Sequence, residues 1–413
     1  MNKPARHHAS TRSAVLDVIR AAGTISRAGL ADATGYTAAT VSVVVRRLID
    51  DGLVRETGMA ESTGGKPRTL LQLNRSARHA IGVHLDHTQL SYVLTDLGGS
   101  IIGRMSRPGA AHDRAGVEVM RMAAEIETLI EGVGVDRRGV LGVGVVSPGP
   151  CGGVRANPAG TYRRADRRLG LALTDATGLP VITENDATAA ALGEYWSGVV
   201  GGTSTFAVLY VGVGIGAGVV INGIAHRGPS GNAGEIGHIC LDVNGPECRC
   251  GARGCAEAMA GPAAVVAAAR ADQALAGRAG LTGASVAADF AALARAARRG
   301  DDSALALLED SARHLAVLAR TLAAVIDLEL LILTGPGLAT AGPVYLPVVQ
   351  DELDRAFASR THSVTVRLSR SAATAPAVGA AAMVLHSELI PLREGLRLPH
   401  DLTEPDPVRP AVT

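Results

Sequence analysis

Between Gly234 and Glu257 the chain reads GEIGHICLDVNGPECRCGARGCAE. This stretch holds His238, Cys248, Cys250 and Cys255 in the spacing H-x9-C-x-C-x4-C, which accounts for three of the five cysteines. Three thiolates and one imidazole form a full tetrahedral set for Zn2+, with no position left for water. Gly251 and Gly254 supply the tight turns that bring the sulfurs to one point. The pattern predicts a structural zinc site over residues 238–255, against the plainer alternative of unmetallated loop cysteines. Glu235 and Glu257, at the two ends, read as ligand-binding carboxylates. Cys240 lies near enough to His238 to be a rival ligand, but a buried core thiol is the expected role. Clustering of this kind suits a reducing cytoplasm better than a disulfide framework.

These residues need a scaffold, and the bulk composition bounds it. The chain has 413 residues, 47% of them hydrophobic, with 50 glycines, which suits two or three α/β domains with many tight turns. Aromatic residues are only 2%, which argues against a stacking platform for single-stranded nucleic acid. The net charge of +1 is unevenly spread: residues 1–78 carry 12 Lys/Arg against 6 Asp/Glu, and the remainder 28 against 33. A basic head on a mildly acidic body suggests a nucleic-acid module joined to something else. No run of 18 uncharged apolar residues occurs, and the N-terminus has no apolar segment of the secretory kind. No membrane partner and a cytoplasmic location are therefore expected.

In the head, residues 10–22 predict a helix, with Val15, Leu16 and Ile19 on one face. Ser26 caps a short second helix that ends at Gly35. Thr37 caps a third, from Ala38 to Asp50, with Val41, Val44, Val45 and Leu48 on its apolar face, and Gly52 ends it. Helix, short helix, glycine turn, helix and hairpin is the order of a winged helix-turn-helix, expected over residues 1–75, whose third helix enters the major groove of double-stranded operator DNA. Thr37, Ala39, Thr40 and Ser42 would approach base edges, with Arg46 and Arg47 reaching phosphate or guanine. The wing would span residues 53–73, and Lys66 and Arg68, stiffened by Pro67, would add a phosphate or minor-groove contact.

From Ala80 onward, strands alternate with helices. A hairpin start near residue 80 and another near residue 205 suggest two similar halves with a ligand cleft between them. Strands are expected at 140–149, at 180–186, at 328–337 and at 363–368. Helices are expected at 117–132, 187–197, 261–299, 302–325, 344–358 and 375–389. The tail from 395 to 413, rich in proline and charge, reads as disordered.

Three segments carry a family resemblance over nearly the whole chain. The stretch from His238 to Glu257 is similar to the zinc signature of the ROK family of sugar kinases and transcriptional repressors. TENDATAAALGE, Thr183 to Glu194, is similar to that family's sugar-site segment. GKPRTLLQLN, Gly65 to Asn74, is similar to the segment leaving the wing in its repressors. The resemblance implies an α/β fold: a winged helix-turn-helix followed by a two-lobed actin-like ATPase body over residues 79–394. It implies that Asn185, Asp186, Glu235, His238 and Glu257 hydrogen-bond a sugar, and that Asp186 stands where the kinases keep their catalytic base. His238 would then give one ring nitrogen to the metal and the other to a hydroxyl. Asn185-Asp186 also reads as a helix cap.

The departures lie on the nucleotide side. Where the kinases carry a D-x-G-G-T phosphate loop, this chain has His84-Leu85-Asp86-His87-Thr88. The second loop is Gly212-Val213-Gly214, and Pro336 interrupts the third glycine turn. An aspartate beside a triphosphate repels it, and a proline removes an amide donor. The resemblance therefore implies a sugar-responsive repressor, dimeric or tetrameric, that has kept sugar recognition and lost phosphoryl transfer. A sugar kinase that also binds DNA is the alternative, and a regulator sensing a protein partner is a third.

Overall fold

The computed structural model describes residues 9–59, 68–86, 89–109, 115–149, 167–198, 200, 203–229, 231, 233–358 and 363–389. Lys66 and the rest of the wing tip through Pro67, His87, Thr88, Cys151 and the tail from 395 to 413 lie outside the described residues.

The head opens with α1 (Ala9–Ala22), β1 (Thr24–Ser26), α2 (Arg27–Thr34) and α3 (Ala38–Asp50). Ser26 Oγ accepts from Gly29 N at 3.1 Å and caps α2, which ends at Gly35 with φ 67°. Thr37 Oγ1 accepts from Thr40 N at 3.2 Å and caps α3. Strands β2 (Val54–Met59) and β3 (Thr69–Leu73) form the wing hairpin, and β1 pairs antiparallel with β3 to make a three-stranded sheet. Val15, Ile19, Leu30, Val41, Val45, Leu48, Leu53 and Leu71 are buried between these helices and the sheet.

The body is built twice on one plan. Its first half holds β4 (His79–Leu85), β5 (Gln89–Asp96), β6 (Ile101–Pro108), α4 (Ala115–Val133), β7 (Val140–Ser147), α5 (Arg167–Thr177), β8 (Val181–Asn185) and α6 (Asp186–Trp196). Its second half begins with β9 (Phe206–Val211), β10 (Ile215–Ile221) and β11 (Ile224–Ala225). Five helices follow: α7 (Ala256–Ala260), α8 (Pro262–Ala271), α9 (Gln273–Ala279), α10 (Val286–Arg298) and α11 (Asp302–Ile326). It closes with β12 (Leu330–Thr334), α12 (Leu338–Phe357), β13 (Thr365–Leu368) and α13 (Ala375–Leu389). The sheet orders are β6-β5-β4-β7-β8 and β11-β10-β9-β12-β13. In each sheet the first three strands are antiparallel and the last two join in parallel. Taken by position in each half, both orders are 3-2-1-4-5, so the duplication expected from the two hairpins is present, with α/β architecture throughout.

The two halves exchange their last helices. Helix α6 leaves β8 and packs on β9 and β10 of the other sheet, while α13 leaves β13 and packs on β4 and β7. The two helices meet each other at backbone contact. A Cβ on Gly379 would lie 1.7 Å from the carbonyl oxygen of Ala189, so only glycine permits the approach. All eleven residues of α6 are buried.

Several boundaries differ from expectation. The alanine-rich segment 261–299 is not one helix but α8, α9 and α10, broken where Asp272 caps α9 and where Gly280 ends it with φ 71°. Helix α12 begins at Leu338 and carries Pro343 and Pro347 inside it. Strands β1 and β6 and helix α5 were not expected. Cys240 is exposed, so the expected buried thiol is wrong: its backbone bridges to Cys255 while its side chain faces solvent.

Candidate effector site and metal centre

The zinc-type ligands converge because the segment after β11 folds back on itself. Short antiparallel bridges join Cys240 to Cys255 and Glu247 to Arg253. Backbone bonds from Leu241 N to Gly254 O and from Cys248 N to Ala252 O close the loop. The ligand atoms of His238, Cys248, Cys250 and Cys255 all lie within 4.8 Å of one another. His238 Nδ1 is 3.6 Å from Cys248 Sγ, and Cys250 Sγ is 3.7 Å from Cys255 Sγ. A tetrahedron of ~2.3 Å Zn–S bonds has edges of about 3.8 Å, so these separations fit a cation at the centre. Burial and the neighbouring thiols push the Cys255 thiol up to about 12, a crowding that a shared cation relieves. The residues therefore suit a closed Cys3His metal site. With Nδ1 turned to the sulfurs, His238 Nε2 faces Glu235 Oε2 at 3.9 Å. One ring thus links the Cys3His cluster to the Glu235 carboxylate.

Asn185 and Asp186 sit where β8 passes into α6. Asn185 Oδ1 accepts from Ala187 N at 2.9 Å and Thr188 N at 3.1 Å, so the expected cap is present, and its Nδ2 donates to Gly149 O at 3.1 Å. Asp186 Oδ1 accepts from Ala187 N at 2.8 Å, while Oδ2 lies 3.6 Å from His84 Nε2. Tyr210 lies near the end of β9. Burial first, then the charges of Asp186 and Asp86, push its hydroxyl well above the usual tyrosine range.

Glu257 stands on α7. Its Oε2 accepts from the backbone N of Ile215 at 3.1 Å, and its Oε1 accepts from Arg249 at 2.7 Å. A Cβ on Gly214 would lie 2.2 Å from that Oε2, so the carboxylate rests directly on the Gly212–Gly214 turn. An amide at this turn that could have faced an anion already donates to a carboxylate. His84, Tyr210 and Arg249 are the contacts that sequence reasoning did not assign to the site. A histidine in place of an acid marked His84. A lone aromatic just before Gly212 and a cation between two cysteines were the available signals for the other two.

On the head, Thr37, Ala39, Thr40, Ser42, Arg46, Arg47 and Arg68 are all exposed. Thr37 Oγ1 and Thr40 Oγ1 are 2.9 Å apart, and Ser42 Oγ donates to Ala38 O. Val43, on the same face of α3, is 54% exposed. A surface of hydroxyls, a valine and two arginines on a capped helix is one that a groove of DNA can receive. Among the described residues no helix is long and apolar enough to cross a membrane.

Comparison with known proteins agrees with this geometry. Residues 80–387 match the profile of the ROK family, and residues 10–60 match that of the MarR family. The chain is 32% identical over 247 residues to the xylose repressor of Bacillus subtilis (strain 168), covering 59% of this chain and 63% of that one. It is 29% identical over 257 residues to the DNA-binding transcriptional dual regulator NagC of Escherichia coli (strain K12), covering 61% and 63%. The chain thus spans a little over six-tenths of the length of the curated repressors and regulators it matches, 61% to 63%. Among solved structures it is similar to a ROK family transcriptional regulator described as a homolog of the E. coli MLC protein. That match has TM-score 0.71 and 25% identity and covers 92% of this chain and 97% of that one. It is also similar to a ROK family glucokinase from Streptomyces griseus in complex with glucose and AMPPNP, with TM-score 0.62 and 29% identity, covering 74% and 98%.

Proposed function

This chain belongs to the ROK family, and we propose from that premise that it is a sugar-responsive DNA-binding regulator, a repressor released from its operator by a sugar. The head, residues 1–75, holds double-stranded DNA through α3 and the wing. The body, residues 79–394, holds the sugar between its halves. The relatives named for xylose and N-acetylglucosamine support a sugar as the effector. Near-palindromic operators require two heads, so the working unit is a homodimer or homotetramer in the cytoplasm.

The observation that carries this reading is Asp86, directly after β4, where the ROK kinases have a glycine of their first phosphate loop. A carboxylate there repels a nucleotide phosphate. Pro336 removes an amide donor from the third glycine turn on the same side. On the sugar side, Asn185, Asp186, Glu235 and Glu257 keep oxygen acceptors for adjacent hydroxyls, and His238, with Nδ1 on the metal, offers Nε2–H as a donor. Zn2+ held by His238, Cys248, Cys250 and Cys255 would supply a structural crosslink that fixes the His238 ring; it takes no part in chemistry. These residues bind and orient the sugar, and no group transfer follows.

The rival is an ATP-dependent sugar kinase that kept a DNA-binding head, and it rests on Asp186. Incubating the protein with ATP, Mg2+ and a panel of D-glucose, D-xylose and N-acetyl-D-glucosamine decides between them. No ADP above the sugar-free rate is expected. Sugar-dependent ADP that vanishes in Asp186→Ala would establish the kinase instead.

A further inference from the structure

The head and the sugar site hold opposite ends of one helix. At its N-terminus α6 carries Asn185 as cap and Asp186 as first residue. At its C-terminus it carries Tyr195 and Trp196, and these two receive α1 of the head. Arg20 of α1 stacks on both rings, its Cζ 4.5 Å from the Trp196 ring centroid and 5.1 Å from that of Tyr195. Its guanidinium donates to the carbonyl of Trp196 at 2.8 Å and pairs with Asp17 at 2.8 Å. Asp17 in turn accepts from the Tyr195 hydroxyl at 2.6 Å.

This cluster is a built junction and not a surface ion pair. The Arg20 and Asp17 side chains are only 7% and 11% exposed. The last carbonyls of a helix have no partner within it and carry its negative pole, so a buried guanidinium at Trp196 O satisfies both needs at once. Burial opposes the Arg20 charge, but Asp17 and Tyr195 outweigh it and hold that charge firmly. The apolar core is continuous across the joint: Val15, Val18 and Ile19 belong to the same buried cluster as Ala187, Ala190, Tyr195, Trp196, Ala377 and Ala381.

Helix α6 is also well suited to move as one piece. It is buried along its whole length and locked against α13 at Gly193 and Gly379. Eleven residues at 1.5 Å each separate its ends by about 16 Å. A shift at Asn185–Asp186 therefore reaches Tyr195–Trp196 without being absorbed by a flexible segment.

We propose that the clamp of Asp17 and Arg20 on Tyr195 and Trp196 transmits the state of the sugar site, through α6, to the DNA-binding head. The proposal rests on the functional reading above and adds the route. Sugar seated against Asn185 and Asp186 displaces α6. The clamp carries that displacement into α1, which packs on α2 and α3, and the recognition helix turns away from its groove. Arg20 and Trp196 touch neither ligand; they are positioning residues.

The test uses the full-length chain and an operator selected by it from random double-stranded DNA. D-xylose, D-glucose and N-acetyl-D-glucosamine serve as probes. Sugar binding is read by calorimetry and operator binding by fluorescence anisotropy, for wild type, Arg20→Met and Trp196→Phe. Trp196→Phe keeps an aromatic ring, though a smaller one, and covers the case in which Arg20→Met fails to fold. Saturating sugar is expected to weaken the wild-type operator complex by about tenfold or more. Each variant should bind sugar and sugar-free operator within about threefold of wild type, yet lose most of that response. Variants that keep both affinities and the full response overturn the route and leave the regulator standing. A wild type that binds operator indifferently to all three sugars overturns the regulator and the route with it.

Discussion

His84 Nε2 lies 3.6 Å from Asp186 Oδ2, with both side chains buried and the histidine nitrogen lacking a hydrogen-bond partner among the described residues. The two atoms face each other at the end of β4 and the start of α6. Asp186→Asn keeps the bond to Ala187 N but removes the charge at this point. Sugar affinity is expected to fall about tenfold, the worth of a charge-assisted hydrogen bond. Calorimetry with the sugar that binds wild type checks this, and unchanged affinity would remove Asp186 from the site.

Glu257→Gln should weaken sugar binding by about tenfold while leaving operator affinity without sugar within about twofold. The substitution keeps volume and one acceptor but loses the charge that Arg249 and the Ile215 amide share. Loss of operator binding would show instead that this carboxylate holds the fold.

Cys250→Ala leaves two sulfurs and one imidazole, too few for a closed zinc site. Zinc measured by plasma emission should drop from one per chain to near none. Stability should fall by about 3 kcal/mol, roughly 4–5 °C in the melting temperature of the body. A variant that keeps its zinc and its melting temperature contradicts the site.

His386 sits edge-on to Trp196, with ring centroids 6.4 Å apart, and burial lowers its pKa to about 4, opposed by Asp17 and aided by Arg20 and Arg227. The unfolded chain therefore binds a proton that the folded chain refuses. Stability from this group is fully present above about pH 6.5 and is lost as pH falls toward 4, by about 3 kcal/mol in all. Urea unfolding at pH 7 and pH 4.5 should show this loss, and His386→Gln should reduce it.

Arg46→Ala and Arg47→Ala, both exposed on α3, should each weaken operator binding. Each should also flatten its dependence on the logarithm of salt concentration by about one unit, if each arginine neutralises one phosphate. Anisotropy titrations across a salt series measure it.

Local chemistry was legible in the sequence, and contacts across distance were not. Thr37 and Ser26 cap where their hydroxyls predicted, because a cap needs only its next three residues. The cysteine spacing announced the Cys3His cluster for the same reason. Strand β1 escaped notice because three residues show no alternation, and it exists only by pairing with β3. Helix α5 has Gly170 inside it, so propensity argued against it, and Pro343 hid the first turn of α12, whose remainder was expected over 344–358. In the segment 261–299 an alanine-rich composition hid the breaks at Asp272 and Gly280. The Arg20 to Trp196 contact spans 176 residues, and nothing near either residue announces the other.

The central claim is that sugar occupancy of the body controls the grip of the head on DNA. The most direct measurement titrates D-xylose, D-glucose and N-acetyl-D-glucosamine, with and without ATP and Mg2+, into the full-length protein bound to its selected operator. The account predicts that one of these sugars releases the operator without ATP, and that no ADP forms. An operator complex indifferent to all three sugars, together with sugar-dependent ADP formation, would contradict it.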